Sequence, residues 1–300
     1  MSNNPLISII INCFNGEKYL QQCLESVISQ KYKNWEIIFW DNQSTDSSSK
    51  IFKQYKDIRF KYFLADKHTN FLYEARNYAL QKAQGDFIAL LDVDDWWLPD
   101  KLEKQIPLFD QKDVGLAYGN LWYLIQSKNK KKILKKKFLP AGKILTNLLD
   151  DYVIRSATIV IRKNCLESLK YKFDENYHII GDYDLNIRIA AEWNIECVQK
   201  PIAFVRIHGK NETILKKEKQ IEEFKMWYNK MKNEKIISSN KNFKKIPLKI
   251  NYIETMHSIL NDAFSKKLLR VYKYPLGLEK IKLIFALLLP KFIIRVIRGY

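Results

Sequence analysis

The sequence predicts an α/β fold with a mostly parallel sheet and helices on both of its faces. Short apolar runs alternate with amphipathic helical segments in the order β-α-β-α-β-α-β over roughly the first ninety residues. Polar segments rich in helix-capping residues separate them, and 300 residues with 47% hydrophobic composition suffice for a sizeable core. After residue 114 the alternation loosens, and from about residue 215 the chain reads as helical and basic.

The four strands predicted in the first half are short, mostly apolar runs, and the fourth, at 87–91, reads as a buried strand. After the first strand, Leu20, Leu24 and Val27 recur at helical spacing. A second helix runs to about Tyr55, and a third is closed by Gly85. The predicted strands span residues 7–13, 35–40, 58–63 and 87–91, and the third helix spans 72–84.

The second half has a weaker strand and helix pattern. Asp182 opens a helical segment that contains Leu185 and Ile189. Seven lysines lie in the segment 128–137, which reads as a hairpin. The predicted strands here span residues 114–125, 154–161, 195–198 and 202–207.

Charge and cysteine usage narrow the range of functions. The net charge of +18 and the pI of about 9.5 favour anionic partners such as nucleic acid, acidic lipid or phosphorylated substrates. The lysine-rich segment is either simply solvated or involved in such a contact. The four cysteines lie far apart without a CxxC pair, which argues against a zinc site and fits a reducing compartment.

Several common motifs do not occur. The first apolar run is short and lacks a basic flank, so it reads as a strand and not as a signal peptide. No stretch reaches the roughly 18 apolar residues expected of a spanning helix. A GxGxxG fingerprint after the first strand and a GxxxxGK loop are both missing, which argues against dinucleotide and P-loop binding.

Three aspartates close the fourth predicted strand. Asp92, Asp94 and Asp95 stand at its carboxyl end, where open α/β sheets bind ligands. Clustered carboxylates repel one another unless a cation joins them, and hard oxygen ligands suit Mg²⁺ or Mn²⁺. The alternative is a polar loop that caps the helix beginning near Pro99.

A series of motifs resembles family-two, A-fold nucleotide-sugar glycosyltransferases. The opening segment reads IIINCFNGEKYL from Ile9 to Leu20. Further matches follow in the same order as in the family, and together they cover roughly residues 5–212. They are residues 41–46, 74–77, 92–95, 181–185 and 205–209.

The resemblance implies the A-type glycosyltransferase fold, which has a mostly parallel, Rossmann-like nucleotide-binding sheet, here with a helical C-terminal extension. Residues 1–212 would form the catalytic domain. Within this domain, residues 1–113 would bind the nucleotide sugar, and residues 114–212 would bind the acceptor. Residues 213–300 would form a basic helical region.

The resemblance also implies the site residues. Asn15 and Glu17 would lie against the nucleotide, and Asp41 would read the base edge unless it is only a turn residue. Arg76, whose alternative is an exposed helical arginine, would reach the base or the diphosphate. The implied donor-binding residues are Asn15, Glu17, Asp41, Arg76, Asp92 and Arg206, and the implied ligands of a divalent metal, Mn²⁺ or Mg²⁺, are Asp92, Asp94, Asp95 and His208. For His208, a contact with the diphosphate and an ordinary loop histidine are the alternatives.

Asp182 matches the family's catalytic base, which takes the proton of the attacking acceptor hydroxyl. A plain N-cap role is the alternative, and Asp184 is the second candidate base. The sequence departs from the family pattern at two positions. Gly181 replaces the family's common Glu before the base, and Phe71 stands where a Gly is common.

The expected activity is metal-dependent, inverting transfer of a sugar from a nucleotide-diphospho-sugar, with a UDP-sugar as the expected donor. The expected acceptor is a glycan or lipid-linked glycan of the bacterial surface, with no nucleic acid as partner. Two alternatives stay open: a nucleotidyltransferase that makes nucleotide sugars, and a non-enzymatic basic protein that binds nucleic acid.

The C-terminal segment 281–297 is basic and rich in Leu, Ile and Phe, with Pro290 in its middle. Such a segment can lie at an anionic membrane surface, which predicts a cytoplasmic protein held at the inner face of the cytoplasmic membrane. The alternative is a helix packed on the enzyme or on a dimer partner.

Overall fold

The computed structural model describes residues 4–291, 293 and 294. The chain divides after His208 into an N-terminal and a C-terminal compact unit. The sequence placed this boundary at residue 212, four residues later. The two units are described separately below.

The N-terminal unit contains nine strands and seven α-helices within its described residues. The strands are β1 Ile7–Cys13, β2 Trp35–Asp41, β3 Phe60–Leu64, β4 Phe87–Leu90, β5 Trp96–Trp97, β6 Val114–Ile125, β7 Lys130–Ile133, β8 Val160–Arg162 and β9 Asn194–Ile207. The helices are α1 Glu17–Ile28, α2 Ser48–Lys53, α3 Leu72–Leu80, α4 Lys101–Gln105, α5 Leu145–Asp150, α6 Lys163–Ser168 and α7 Gly181–Glu192.

All nine strands belong to one sheet, in the order β3-β2-β1-β4-β8-β6-β9-β5, with β7 added beside β6. Strands β1 to β4 run parallel to one another. Beyond β4 the directions mix: β8 is antiparallel to β4 and β6, whereas β6 and β9 run parallel. The α/β class with a helical C-terminal region is therefore confirmed, with the parallel strands concentrated in the first half.

Strands β1, β2 and β4 are buried because their residues are mostly apolar on both faces, whereas the edge strand β3 is partly exposed. Every residue of β2 is buried, and in β1 only Asn12 is partly exposed. Helix α1 covers one face with Leu20, Leu24 and Val27, the residues whose spacing predicted it. In the register of β1 and β2, Cys13 pairs with Asp41, so the loops after these two strands leave the sheet side by side.

Three predicted strands differ from the structure. In the segment 154–161, the carbonyl of Arg155 accepts hydrogen bonds from the amide and hydroxyl of Thr158, which closes a 3₁₀ turn at Ser156–Thr158 before β8. The strands predicted at 195–198 and 202–207 form one strand, β9. Its register against β6 shifts around Asn120, where the side-chain amide of Asn120 bonds the carbonyl of Gln199.

The two-residue strand β5 was not predicted from the sequence. Trp96 stacks on Phe204 of β9 with ring centroids 4.7 Å apart, and the indole N–H of Trp97 donates to the carbonyl of Ala157 at 2.7 Å. Two residues are too few to show a period, so aromatic packing against β9 decides this strand.

The lysine-rich segment forms the predicted hairpin. Strand β7 pairs antiparallel with the end of β6, from Lys130 opposite Ile125 to Ile133 opposite Trp122. A 3₁₀ turn at Gln126–Lys128 and a left-handed Asn129 (φ 44°) connect the two strands. Asn tolerates that conformation better than most residues with a side chain.

The described C-terminal unit is helical. Met256, Ile259, Val271 and Leu283 form its core. Among the residues that the structure describes, no helix is long and apolar enough to cross a membrane. Residues 292 and 295–297 of the predicted membrane segment lie outside the described residues. The helices are α8 Glu212–Leu215, α9 Lys217–Met231, α10 Lys235–Ser238, α11 Ile246–Asn261, α12 Phe264–Lys273 and α13 Leu278–Leu288.

Candidate active site

The sequence-predicted site residues of the first half lie at the carboxyl ends of β1, β2 and β4. Strand β1 lies between the other two and runs parallel to both, so the loops after the three strands emerge at one edge of the sheet. That edge is the usual ligand crevice of an open α/β sheet.

Asn15 and Glu17 connect the loop after β1 to the loop after β2. Asn15 is left-handed (φ 54°), and its side-chain oxygen accepts the amide of Thr45 at 2.8 Å. The carboxylate of Glu17 accepts the amide of Ser47 at 2.8 Å, and its own amide donates to Asp46 at 3.0 Å. These contacts give the two residues a positioning role in the structure, since they fix the shape of both loops.

Asp41 ends β2 and is almost completely buried. One carboxylate oxygen accepts the Ser44 amide at 2.7 Å, and the other accepts the Tyr62 hydroxyl at 2.6 Å. Burial, together with the bond to Asp41, raises the pKa of Tyr62 to about 12, so this hydroxyl remains a donor. Each oxygen of the buried Asp41 carboxylate thus accepts one hydrogen bond, which fixes the loop after β2 and the Tyr62 ring.

Arg76 on α3 is buried and forms an ion pair with Asp92. Its guanidinium donates to Asp92 at 2.5 Å and lies near the faces of Tyr73 and Phe173. Asp92 keeps 37% of its side chain exposed. The alternative of an exposed helical arginine is therefore wrong, and Asp92 presents a carboxylate whose charge Arg76 balances.

Asp94 and His208 face each other at the same edge. The imidazole Nε2 lies 3.0 Å from a carboxylate oxygen of Asp94, and the His208 ring stacks on Tyr19 with centroids 5.5 Å apart. Burial and the negative charge of Asp92 raise the pKa of Asp94, while the bond from His208 opposes the shift. A cation placed here would relieve the repulsion between the two aspartates.

Asp95 and Arg206 mainly hold the site together. The Asp95 carboxylate is buried and accepts the backbone amide of Arg206 at 2.9 Å. The guanidinium of Arg206 lies between the rings of Tyr19 and Trp96, at 4.4 and 4.7 Å from their centroids. It also donates to the Asp94 carbonyl at 3.0 Å, which fixes the turn that carries the acids.

The side chains at this edge suit a metal held jointly by protein and substrate. Within the described residues, three or more metal-ligating side chains are not grouped around one point. The 3.0 Å between Asp94 and His208 nevertheless equals the spacing of adjacent ligands in an octahedral ion with bonds of about 2.1 Å. Mg²⁺-type ions typically take one or two protein ligands and complete their shell with phosphate and water. Asp94 and His208 fit that pattern, whereas Asp95 is occupied by the backbone.

Asp182 lies in the first turn of α7, partly exposed. One carboxylate oxygen accepts the hydroxyl of Tyr73 at 3.2 Å and the amide of Tyr183 at 2.8 Å. The other accepts the hydroxyl of Ser156 at 3.1 Å. The helix begins at Gly181 with Ile180 as its N-cap, so Asp182 is not the N-cap, although it does accept one of the free first-turn amides.

Asp184 does not fit the role of second candidate base. Its side chain is completely buried and pairs with Arg188, one turn later, at 2.8 Å. Arg188 in turn donates to the carbonyls of Tyr171 and Lys172. Asp184 is therefore inaccessible to an acceptor and anchors the loop before α7.

The two departures from the family pattern have local explanations. A Cβ on Gly181 would lie 2.5 Å from the ring of Tyr73, so Tyr73 occupies the space that a side chain at position 181 would need. Phe71 is the N-cap of α3 with extended dihedral angles (φ −118°), and its ring meets His178 edge-on at 5.7 Å. The structure thus accommodates Gly181 and Phe71 in place of the Glu and the Gly that are common in the family.

Sequence reasoning missed the side chains that orient the site. Tyr73 precedes Arg76 by three residues on α3, so the helical period could have placed both on one face. Tyr19, one of the aromatic rings on either side of Arg206, belongs to the matched opening segment. Ser156 gave no signal, because it reaches Asp182 across 26 residues of chain.

Comparisons with known proteins find related sequences. The profile described as "Glycosyl transferase family 2" matches residues 8–167. The Escherichia coli protein named UDP-Glc:alpha-D-GlcNAc-diphosphoundecaprenol beta-1,3-glucosyltransferase WfgD is 33% identical over 194 residues, which cover 64% of this chain and 73% of that protein. A Bacillus subtilis protein named for teichuronic acid biosynthesis, TuaG, is 32% identical over 165 residues, covering 52% and 62%.

Solved structures show the same fold at low sequence identity. S. aureus TarS residues 1–349, crystallised with UDP-GlcNAc, has a TM-score of 0.69 at 17% identity, covering 94% of this chain and 81% of the other. Mannosyltransferase PcManGT from Pyrobaculum calidifontis, in complex with GDP-Man and Mn²⁺, has a TM-score of 0.66 at 13% identity, covering 100% and 85%.

Proposed function

The chain belongs to glycosyl transferase family 2, and from this premise we propose that it is a metal-dependent, inverting enzyme that uses a nucleotide-diphospho-sugar. Family membership favours glycosyl transfer over the two alternatives left open by the sequence, a nucleotidyltransferase and a nucleic-acid-binding protein. The donor we propose is a UDP-sugar, because the name of the E. coli relative specifies UDP-Glc and the TarS crystal contains UDP-GlcNAc.

One observation carries the proposal: helix α3 connects the acids at the end of β4 to the candidate base. Arg76 donates to Asp92, and Tyr73, one turn earlier, donates to Asp182. The helix thus holds the two carboxylates in a fixed relation. Transfer of a sugar needs such an arrangement, with leaving-group stabilisation on one side and proton removal on the other.

In the proposed reaction, Asp182 takes the proton of the acceptor hydroxyl while the hydroxyl oxygen forms a bond to the anomeric carbon. The bond from that carbon to the diphosphate breaks, and the electron pair leaves with the nucleotide. A single displacement of this kind inverts the anomeric centre.

In this proposal, residues of the first half of the chain bind the donor. The loops fixed by Asn15 and Glu17, with Asp41 beside them, would receive the nucleotide, and Asp92 with Arg76 would face the ribose and diphosphate. A divalent metal held by Asp94 and His208 would neutralise charge on the departing nucleotide. Asp95 and Arg206 would keep those ligands in place.

We further propose that residues 1–113 form the donor half and 114–212 the acceptor half. The name of the E. coli relative specifies a diphosphoundecaprenol-linked acceptor, and we carry this class of acceptor over to this chain. The role would be in the synthesis of bacterial surface polysaccharide. Such an acceptor is anchored in a membrane, which supports localisation of this protein at the inner face of the cytoplasmic membrane.

Asp182→Asn tests the assignment of the base. Asn retains an oxygen for the Tyr73 and Tyr183 donors but cannot take a proton, so turnover should fall by about 10² or more while donor affinity stays near wild type. Calorimetric titration of UDP-sugars and a transfer assay measure the two quantities. Asp110→Asn, at an exposed acid in the same unit, is the matched control. Near-normal turnover in the Asp182 variant would remove this residue from the mechanism.

A further inference from the structure

The hairpin of β6 and β7 presents a dense positive surface, which we call the lysine hairpin (residues 126–138). In the described chain, Lys135 pairs with Asp151, while the other lysines of this hairpin form no ion pair. The exposed lysines concentrate positive charge on this surface, which favours an anionic partner. Its exposed lysines are Lys128, Lys130, Lys131, Lys132, Lys136 and Lys137.

The start of the hairpin turn adjoins the donor side of the site. The hydroxyl of Tyr19 donates to the side-chain oxygen of Gln126 at 2.9 Å. The same Tyr19 ring stacks on His208 and lies over the Arg206 guanidinium. One aromatic ring therefore separates the lysine hairpin from the proposed metal ligands.

One face of the hairpin leads to the proposed base. Tyr123 pairs with Lys132, and its hydroxyl accepts a hydrogen bond from Arg155 at 2.8 Å. The next residue, Ser156, donates to Asp182. Short chains of contacts, through Tyr19 on one side and through Tyr123 and Arg155 on the other, thus connect the hairpin to both the donor and the acceptor residues of the site.

The end of the hairpin adds an exposed aromatic side chain. Phe138 is 89% exposed and follows Lys136 and Lys137 directly. Its exposure is imposed by the fold, because the next residue, Leu139, is buried and its amide is held by Gln199. A large aromatic ring beside lysines matches the boundary of a bilayer, where the ring enters the acyl region and the ammonium groups meet lipid phosphates. Single-stranded nucleic acid also stacks bases on exposed aromatic rings, so the choice of a lipid surface rests on the proposed lipid-linked acceptor.

We propose that the lysine hairpin docks on an anionic lipid surface and so holds the mouth of the active site against the membrane that carries the acceptor. This inference rests on the proposed use of a lipid-linked acceptor. It is separate from the predicted contact of the C-terminal helices, because all residues that carry it belong to the N-terminal unit. Donor binding and donor hydrolysis by water should not depend on it.

The first test removes charge from the full-length chain. The variant Lys130→Gln/Lys132→Gln/Lys136→Gln/Lys137→Gln should partition onto phosphatidylcholine–phosphatidylglycerol vesicles at least about tenfold more weakly than wild type at low salt. The matched control, Lys50→Gln/Lys56→Gln/Lys112→Gln/Lys170→Gln, removes the same charge from exposed lysines elsewhere in the N-terminal unit. An equal loss in both variants, or in neither, would overturn the proposal.

A second measurement locates the contact. Ser127→Cys, labelled with a polarity-sensitive fluorophore, should shift to the blue on anionic vesicles and not on pure phosphatidylcholine. The same label at Lys112→Cys should not respond. If the hairpin bound a single-stranded oligonucleotide tightly and the label did not respond to vesicles, nucleic acid would be the partner. That outcome would overturn the proposal. UDP-sugar hydrolysis, measured in parallel, reports on the proposed function independently of this result.

Discussion

At the scale of single residues, the acids after β4 divide into different roles. Asp94 faces His208 at 3.0 Å, Asp92 is balanced by a buried arginine, and Asp95 accepts a backbone amide. Adjacent residues of the same type thus differ because each meets a different partner. A uniform three-aspartate metal site does not describe this arrangement.

Removal of the His208 imidazole should weaken metal binding. We expect His208→Ala to raise the Mn²⁺ concentration for half-maximal donor hydrolysis by about 10–100-fold, since one of two protein ligands is lost. Direct Mn²⁺ titration by electron paramagnetic resonance provides a readout besides activity. His257→Ala, in α11 of the C-terminal unit, is the control. Unchanged Mn²⁺ affinity in the His208 variant would exclude this residue as a ligand.

Lys101 is a buried amine that the proposed mechanism does not use. Its Nζ has no hydrogen-bond partner among the described residues and lies 4.0 Å from the centroid of the Trp97 ring. Burial holds the pKa of the Lys101 amine well below its usual range. Lys101→Met should therefore raise the free energy of unfolding by about 1–3 kcal/mol at pH 7, the usual cost of an unsatisfied buried polar group.

The stability gain expected from Lys101→Met should change with pH in a defined direction. Because the folded-state pKa of Lys101 lies below the unfolded value of about 10.4, the unfolded chain binds more protons between the two values. Wild-type stability should therefore rise with pH through that window, and the gain from Lys101→Met should shrink. Urea unfolding at several pH values measures this gain in the free energy of unfolding, and Lys112→Met is an exposed control. A variant no more stable than wild type at pH 7 contradicts the expectation.

At the scale of elements, the contact between α3 and α7 positions the proposed base. Tyr73 packs over Gly181, stacks on Phe173 at 5.3 Å and donates to both Asp182 and the Ile179 carbonyl. The absence of a side chain at position 181 lets the first turn of α7 approach α3 this closely. The glycine is therefore needed for space, and its positive-φ capacity is not used.

Gly181→Ala should disturb this contact. The new Cβ would lie 2.5 Å from the Tyr73 ring, so we expect a loss of about 1–3 kcal/mol in the free energy of unfolding together with lower turnover. Gly209→Ala adds the same atom where nothing lies within 4 Å and is the control. Thermal unfolding and the transfer assay provide the two readouts. Equal behaviour of both variants would mean that the helices accommodate the methyl group freely.

At the scale of the whole molecule, the C-terminal unit combines a packed core with an exposed apolar surface. Helix α13 buries Leu283 in the core, so the packing alternative is correct for one of its faces. Its other face exposes Ile281 and Phe285, and α12 exposes apolar residues at i, i+4 and i+8 among basic ones. The stripe on α12, which the sequence did not single out, consists of Phe264, Leu268 and Tyr272.

Substitutions in this stripe test membrane association better than a deletion of α13 would. Such a deletion would remove Leu283 and expose the core in which it packs. Phe264→Ser/Leu268→Ser/Tyr272→Ser should lower partition onto anionic vesicles and remove the fraction of binding that survives high salt. Ser substitutions at the exposed Ile58 and Leu64 of the N-terminal unit are the control. A full-length protein that stays off anionic vesicles at low salt would contradict membrane association altogether.

The sequence by itself determined the α/β class, the first four strands and the hairpin, because short apolar runs, helical spacing and a lysine-rich turn are local features of the chain. It also placed Asp92 and Asp94 at the carboxyl end of a strand and Asp182 at the start of a helix, because both placements follow from the local pattern of the chain. The tertiary structure decided which of these groups are accessible. Burial with Arg188 removed Asp184 as a base, and the amide of Arg206 occupied Asp95.

Tertiary structure also decided every contact between residues far apart in the chain. Ser156 and Tyr73 reach Asp182 across 26 and 109 residues, and His208 reaches Asp94 across 114. No local period encodes such pairs, because they depend on how β8, β9 and α7 pack after the first half of the sheet has formed. The fold class is therefore a property of local sequence, whereas the division of labour within the site is a property of packing.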